Sequence, residues 1–176
     1  MAANLNSTAP NVDTPSAKNM TFAIVVSRWN YDVTDKLRLA AIETLTNAGC
    51  PLKNIITKWV PGTFELPFAA QLIAETTDVD AIIALGCVIK GETPHFDYVC
   101  QGATNGIMQV QINEVIPITF GVITTLNEQQ ALDRAGGKVG NKGEEAALTA
   151  IHMVELTNEM TQDASVLAGN LTENLC

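Results

Sequence analysis

Phe22-Ala-Ile-Val-Val-Ser-Arg-Trp-Asn-Tyr-Asp-Val-Thr-Asp-Lys-Leu, residues 22–37, changes period in the middle. FAIVVS at 22–27 is a continuous β-branched run, as expected of a strand buried on both faces. The chain then turns helical, opening near Thr34 or Asp35 as N-cap. Leu37, Ala41, Ile42, Leu45 and Ala48 form one apolar face, and Gly49 ends the helix. A strand followed by an amphipathic helix is half of a βαβ unit.

The same unit recurs along the chain. Ile55 to Val60 reads as a second strand, followed from about Thr63 by a helix that tolerates Pro67 in its first turn. AIIAL at 81–85 is a third strand, followed by a polar loop from Gly86 to about Pro94 and a helix from His95 to Glu114. PITFGVI at 117–123 is a fourth strand, and Asn127 and Gln130 cap a short helix from Glu128 to Ala135. A glycine-rich link, Gly136 to Gly143, precedes a last helix that ends near Met160. Such alternation predicts a single α/β domain over 21–160, a three-layer α/β/α sandwich on a parallel sheet. Residues 1–20 read as a mobile N-terminal arm and 161–176 as a loose tail.

The composition narrows the function. Of 176 residues, 47% are hydrophobic and only 16% charged, which suits a chain that buries further surface against other subunits. A net charge of -9 argues against nucleic-acid or anionic-membrane binding. No apolar stretch is long enough to span a membrane, and residues 1–20 lack the pattern of a secretory signal. Cys50, Cys87, Cys100 and Cys176 lack metal-ligand spacing, so free thiols and a cytoplasmic setting are expected.

Parallel sheets bind ligands beyond the carboxyl ends of their strands. Three loops are therefore singled out: Arg28–Tyr31, Val60–Glu65 and Gly86–His95. Trp29 can stack on a heteroaromatic ring or cover the edge of the core. Glu65 can accept from hydroxyls or favour the positive end of a helix. Gly86-Cys-Val-Ile-Lys-Gly-Glu-Thr-Pro-His95 offers backbone N–H groups, a helix dipole and the Thr93 hydroxyl to a phosphate, although it is no Walker motif. His95 at the helix start can move protons or simply cap the surface. His152, mid-helix, reads as structural. Arg134, Lys138 and Lys142 can complete an anion site or lie in a solvated link. No GxGxxG follows the first strand, which argues against a Rossmann oxidoreductase.

Taken together, RWN at 28–30, PGTFELP at 61–67, GCVIKGETPHFDYVC at 86–100, PITFGVITT at 117–125 and DRAGGKVGNKGEEAA at 133–147 resemble the 6,7-dimethyl-8-ribityllumazine synthase family, from about Thr21 to Met160. The resemblance implies a flavodoxin-like four-stranded sheet of order 2-1-3-4. It implies condensation of 5-amino-6-(D-ribitylamino)uracil with 3,4-dihydroxy-2-butanone 4-phosphate, with no cofactor and no metal. It also implies a homo-pentamer that associates into a 60-subunit icosahedral shell. The short link Gly136–Gly143 fits the shell, whereas Pro10 and Pro15 in the arm resist strand addition to a neighbour's sheet and argue against it.

Residue roles follow from the same resemblance. Trp29 stacks on the pyrimidine ring, where many members carry Phe. Thr63, Phe64 and Glu65 line the ribityl chain. Cys87, Val88 and Ile89 meet the ring edge through their backbone. Lys90, Gly91, Glu92 and Thr93 surround the phosphate, Lys90 replacing a frequent Arg and Glu92 a small residue, with the Glu92 side chain expected to point away. His95 is the proton donor. Phe120, Arg134 and Lys142 come from the neighbouring subunit, with Glu145 holding Arg134.

Overall fold

The computed structural model describes residues 14–173, with side chains through Val166. Strands β1 (Phe22–Ser27), β2 (Ile55–Val60), β3 (Ala81–Ile89) and β4 (Ile118–Thr125) form one parallel sheet of order β2-β1-β3-β4. Helices α1 (Tyr31–Asn47) and α5 (Lys142–Glu173) cover one face, and α2 (Leu66–Thr76) and α3 (His95–Glu114) cover the other. A short helix α4 (Glu128–Asp133) follows β4. The expected three-layer sandwich and strand order are both present.

The β-branched runs divide their side chains between two cores. Phe22, Ile24 and Val26 of β1, with Ile83 and Leu85 of β3, pack under Leu37, Ala41 and Leu45 of α1 and Ala147, Ala150 and Ile151 of α5. Ala23, Val25, Ile82 and Ala84 point the other way, under Leu66, Ala70 and Ile73 of α2 and Ile107 and Val110 of α3. A strand buried on both faces favours apolar side chains throughout, and so Phe22–Val26 and AIIAL at 81–85 are apolar, the buried Ser27 standing only at the carboxyl end of β1. The order 2-1-3 makes the chain leave β1 toward one edge and return for β3 on the other side. That reversal opens a crevice at the carboxyl ends of β1 and β3.

Several expected boundaries move. Helix α1 starts at Tyr31, because Asn30 adopts a left-handed conformation (φ 59, ψ 45) and its carbonyl accepts from the Val33 and Thr34 N–H groups. Thr34 is then buried inside the first turn, donating to the Ser27 carbonyl at 2.8 Å, and Asp35 pairs with Arg38. Strand β3 runs on to Ile89, since Gly86 through Ile89 pair with Val122 through Thr125. Four residues expected in the loop are thus rigid sheet. The cap of α4 is as expected: the Asn127 side chain accepts from Gln130 N–H, and the Gln130 side chain from Leu126 N–H.

The terminal segments differ most from the sequence reading. Residues 14–20 are not a free arm: Ala17 and Met20 are buried, and the Ala17 N–H donates to the Ala48 carbonyl at the end of α1. Residues 1–13 lie outside the described residues, as do 174–176. The glycine-rich link folds into a small antiparallel pair, β5 (Ala135–Gly137) and β6 (Gly140–Asn141). Helix α5 does not stop near Met160 but continues to Glu173. Inward burial ends at Val154, yet no proline follows and the next glycine is Gly169. Residues 156–166 continue the helix with exposed side chains.

Candidate active site

The first loop is tied down on both sides. Arg28 and Trp29 N–H groups donate to the Val60 and Pro61 carbonyls at 2.8 and 3.1 Å, joining the loop to the end of β2. The Asn30 side-chain amide donates to the Cys87 carbonyl at 2.9 Å, joining it to β3. Asn is among the few non-glycine residues that visit the left-handed region readily. Asn30 therefore supplies the turn and the tether together, a double role that the sequence reading missed. The sequence shows RWN but not the carbonyl that Asn30 meets.

Trp29 leaves this turn over the second loop. Its indole is 63% exposed, with one edge resting on Gly62. A Cβ at Gly62 would lie 2.6 Å from Trp29 Cε3 and 3.0 Å from the Glu65 carboxylate. Only glycine allows this approach. The Glu65 carboxylate folds back to accept from the Gly62 N–H at 2.9 Å. Thr63 is buried, and the Phe64 ring lies on α3 against Gly102. Gly62→Ala is expected to displace the indole and raise KM for an aromatic ligand about tenfold, the scale of a lost stacking contact. Fluorescence of bound ligand together with steady-state kinetics checks it; an unchanged KM contradicts it.

The third element adds the anion-binding end. Cys87 closes the buried part of β3, and burial pushes its thiol from 9.0 up to about 11. It stays a neutral thiol near pH 7, so Cys87 offers its backbone and not a nucleophile. Val88 and Ile89 are half-buried, while Lys90, Gly91, Glu92, Thr93 and His95 are exposed. The Lys90 N–H still donates to the Thr125 carbonyl, so the loop leaves a fixed strand end. His95 is the first residue of α3, after Pro94. The opening N–H groups of a helix lack acceptors within it, and its dipole is positive there. An anion is favoured beside His95 for both reasons.

Phe120 and Lys142 lie together as a second group on the open edge of β4, and Arg134 joins them through its backbone contact with Lys142. A cavity of about 210 Å³ there is lined by Thr119, Phe120, Lys142, Glu145 and Thr149 among others, and by no residue of the three loops. Strands β5 and β6 bring Arg134 and Lys142 together, the Lys142 N–H donating to the Arg134 carbonyl. The Arg134 guanidinium is half-buried and donates to the Gln130 carbonyl at 3.0 Å. Glu145 does not hold Arg134, as the sequence reading expected. Its carboxylate pairs with Lys142, because both lie on the first turn of α5, three residues apart. The sequence reading also missed a stack of Tyr31 on Trp59, 5.4 Å between rings, with Arg28 and Arg38 about 6 Å from the Trp59 ring. These groups meet only once β2 lies beside β1.

A sequence model described as 6,7-dimethyl-8-ribityllumazine synthase matches residues 19–158. The chain belongs to this family. It is 54% identical over 136 residues to the 6,7-dimethyl-8-ribityllumazine synthase of Bacteroides fragilis, covering 77% of this chain and 95% of the relative. It is 51% identical over 142 residues to that of Porphyromonas gingivalis, covering 81% and 88%. It is 47% identical over 147 residues to that of Thermus thermophilus, covering 84% and 94%. Both groups of site residues fall inside the span that matches the lumazine synthase family. The last fifteen residues of α5, 159–173, lie beyond it.

Proposed function

We propose that this chain condenses 5-amino-6-(D-ribitylamino)uracil with 3,4-dihydroxy-2-butanone 4-phosphate to 6,7-dimethyl-8-ribityllumazine, releasing phosphate and water. This is the transferase step that precedes riboflavin. The observation that carries the reading is the meeting of three loops at one sheet edge: Trp29 lies on Gly62, and Asn30 ties that loop to the strand leading to His95. A flat apolar surface and an anion cradle then flank one crevice.

The residues divide the work. Trp29 stacks on the pyrimidine. Thr63, Phe64 and Glu65 line the ribityl chain, and Glu65 has a second carboxylate oxygen to offer a hydroxyl besides the one on Gly62. Backbone groups of Cys87, Val88 and Ile89 face the ring edge. Lys90, Gly91, Glu92 and Thr93, with the N-terminus of α3, surround the phosphate. The 5-amino group attacks the ketone, whose oxygen leaves as water to give an imine, phosphate leaves by elimination, the product rearranges, and the ribityl-bearing nitrogen closes the ring with loss of a second water. No step needs a hydride or an electron from outside the two substrates, so holding the partners together supplies most of the acceleration. His95 adds a smaller acid–base share.

Phe120, Arg134 and Lys142 complete the crevice of a neighbouring subunit in a homo-pentamer, and pentamers associate into a 60-subunit shell. Two features support the shared site. The second group sits on an open strand edge, away from its own loops. On the outer face of α3, Tyr98, Met108 and Ile112 are exposed, with the exposed Val115 just past its end. Apolar groups in such a stripe suit a helix–helix seam better than water.

Mixing the two substrates with the protein tests the activity. A new lumazine chromophore and one equivalent of orthophosphate are expected. Binding of the pyrimidine without a new chromophore would mean a binding module and not an enzyme. His95→Ala is expected to lower kcat about 10²-fold while retaining the fold. Complete loss of turnover in a folded protein contradicts the stated division of labour.

A further inference from the structure

The pair at the start of α5 is placed where a cation is disfavoured. Lys142 is the first residue of the helix, at the positive end of its dipole, and Glu144 and Glu145 stand in the same turn. Lys142 Nζ lies 2.8 and 2.6 Å from the two Glu145 carboxylate oxygens. Both side chains face the cavity beside β4, and so does Thr119. Thr119 is only 6% exposed, and its hydroxyl has no hydrogen-bond partner among the described residues. An ammonium and a helix N-terminus beside one small cavity attract an anion, and the buried Thr119 hydroxyl behind them is left without a partner. In this structure the anion is the protein's own carboxylate.

We propose that Glu145 is a built-in counter-anion for Lys142, displaced when the phosphate group of the butanone substrate arrives and returning as orthophosphate leaves. The proposal rests on the reading of Lys142 as part of the phosphate end of a neighbour's crevice. Glu145 acts through Lys142 and touches no reacting atom, so it is a positioning residue. Its effect is to weaken phosphate binding by the strength of the pair that must open, for substrate and product alike. That sets the balance between capture of the phosphorylated substrate and release of the inorganic product. The two side chains are 39% and 55% exposed, and pairs this open are weak. The corresponding change in phosphate affinity is about two- to fivefold.

The test uses the assembled protein, with inorganic phosphate as the probe. Glu145→Gln is isosteric and cannot hold the ammonium as an ion. It is expected to lower the inhibition constant of orthophosphate and KM for the butanone phosphate together, by about two- to fivefold, and to leave KM for the pyrimidine unchanged. In a Lys142→Met background, the same change is expected to do nothing. A general structural role would not give this split between substrates, nor its disappearance with Lys142. The counter-anion role is overturned if Lys142→Met weakens phosphate while Glu145→Gln fails to tighten it, or if the tightening persists without Lys142. If Lys142→Met leaves both phosphate constants at their original values, the placement of Lys142 in the crevice fails, and the counter-anion role fails with it.

Discussion

Arg134→Ala is expected to lower kcat/KM about 10²-fold, with most of the loss in KM for the butanone phosphate. The guanidinium is the one group in the second cluster that can grip a phosphate through two parallel N–H bonds. Here it is already half-buried and steadied by the Gln130 carbonyl, so little ordering remains to be done on binding. A hydrogen bond to a charged group contributes about 1.5–3 kcal/mol, and loss of a bidentate contact falls at the upper end. Arg134→Lys is expected to recover only part of the loss, since an ammonium keeps the charge but not the fork. Steady-state kinetics with each substrate varied in turn checks both. An equal rise in KM for the pyrimidine would place Arg134 elsewhere in the crevice.

Gly143→Ala is expected to cost at least about 3 kcal/mol of stability, or to prevent folding. At Gly143 the first turn of α5 runs directly over the backbone of α1, and an added Cβ would collide with the Leu37 carbonyl, carbon and Cα. These are backbone atoms of a helix that itself lies on β1 and β3, and they cannot swing aside as a side chain would. The same turn carries Lys142 and Glu145, so the second cluster owes its position to this close approach. Chemical denaturation measures the loss. A midpoint within experimental error of the parent would show that the two helices have room to separate.

The parts of the fold that were legible from sequence are those set by burial on both faces. Phe22–Val26 and AIIAL at 81–85 are unbroken apolar runs, and their alternation with amphipathic segments leaves few topologies. Boundaries set by a partner were not legible. Gly86 to Ile89 look like a glycine-bounded loop until β4 lies alongside them. The start of α1 depends on the left-handed turn at Asn30, which Thr34 and Asp35 obscured by resembling N-caps. Helix α5 outlasts its inward face because helix propensity does not end where burial does. Within the site, the strand ends could be placed from sequence, and there Trp29 lies on Gly62 beside the Glu65 carboxylate. The destination of the Glu145 carboxylate could not, since Arg134 and Lys142 both carry a positive charge and only the helical turn decides between them.

Co-assembly of two disabled chains tests the shared crevice most directly. Glu65→Ala disables the loop side, and Arg134→Ala disables the β4 side. Each variant alone is expected to be nearly inactive. Co-expressed and purified as mixed oligomers, they are expected to regain a substantial fraction of the parent activity, because some crevices then pair an intact loop side with an intact edge. Mixed oligomers no more active than either variant alone would mean that each chain carries its whole site, contradicting the account.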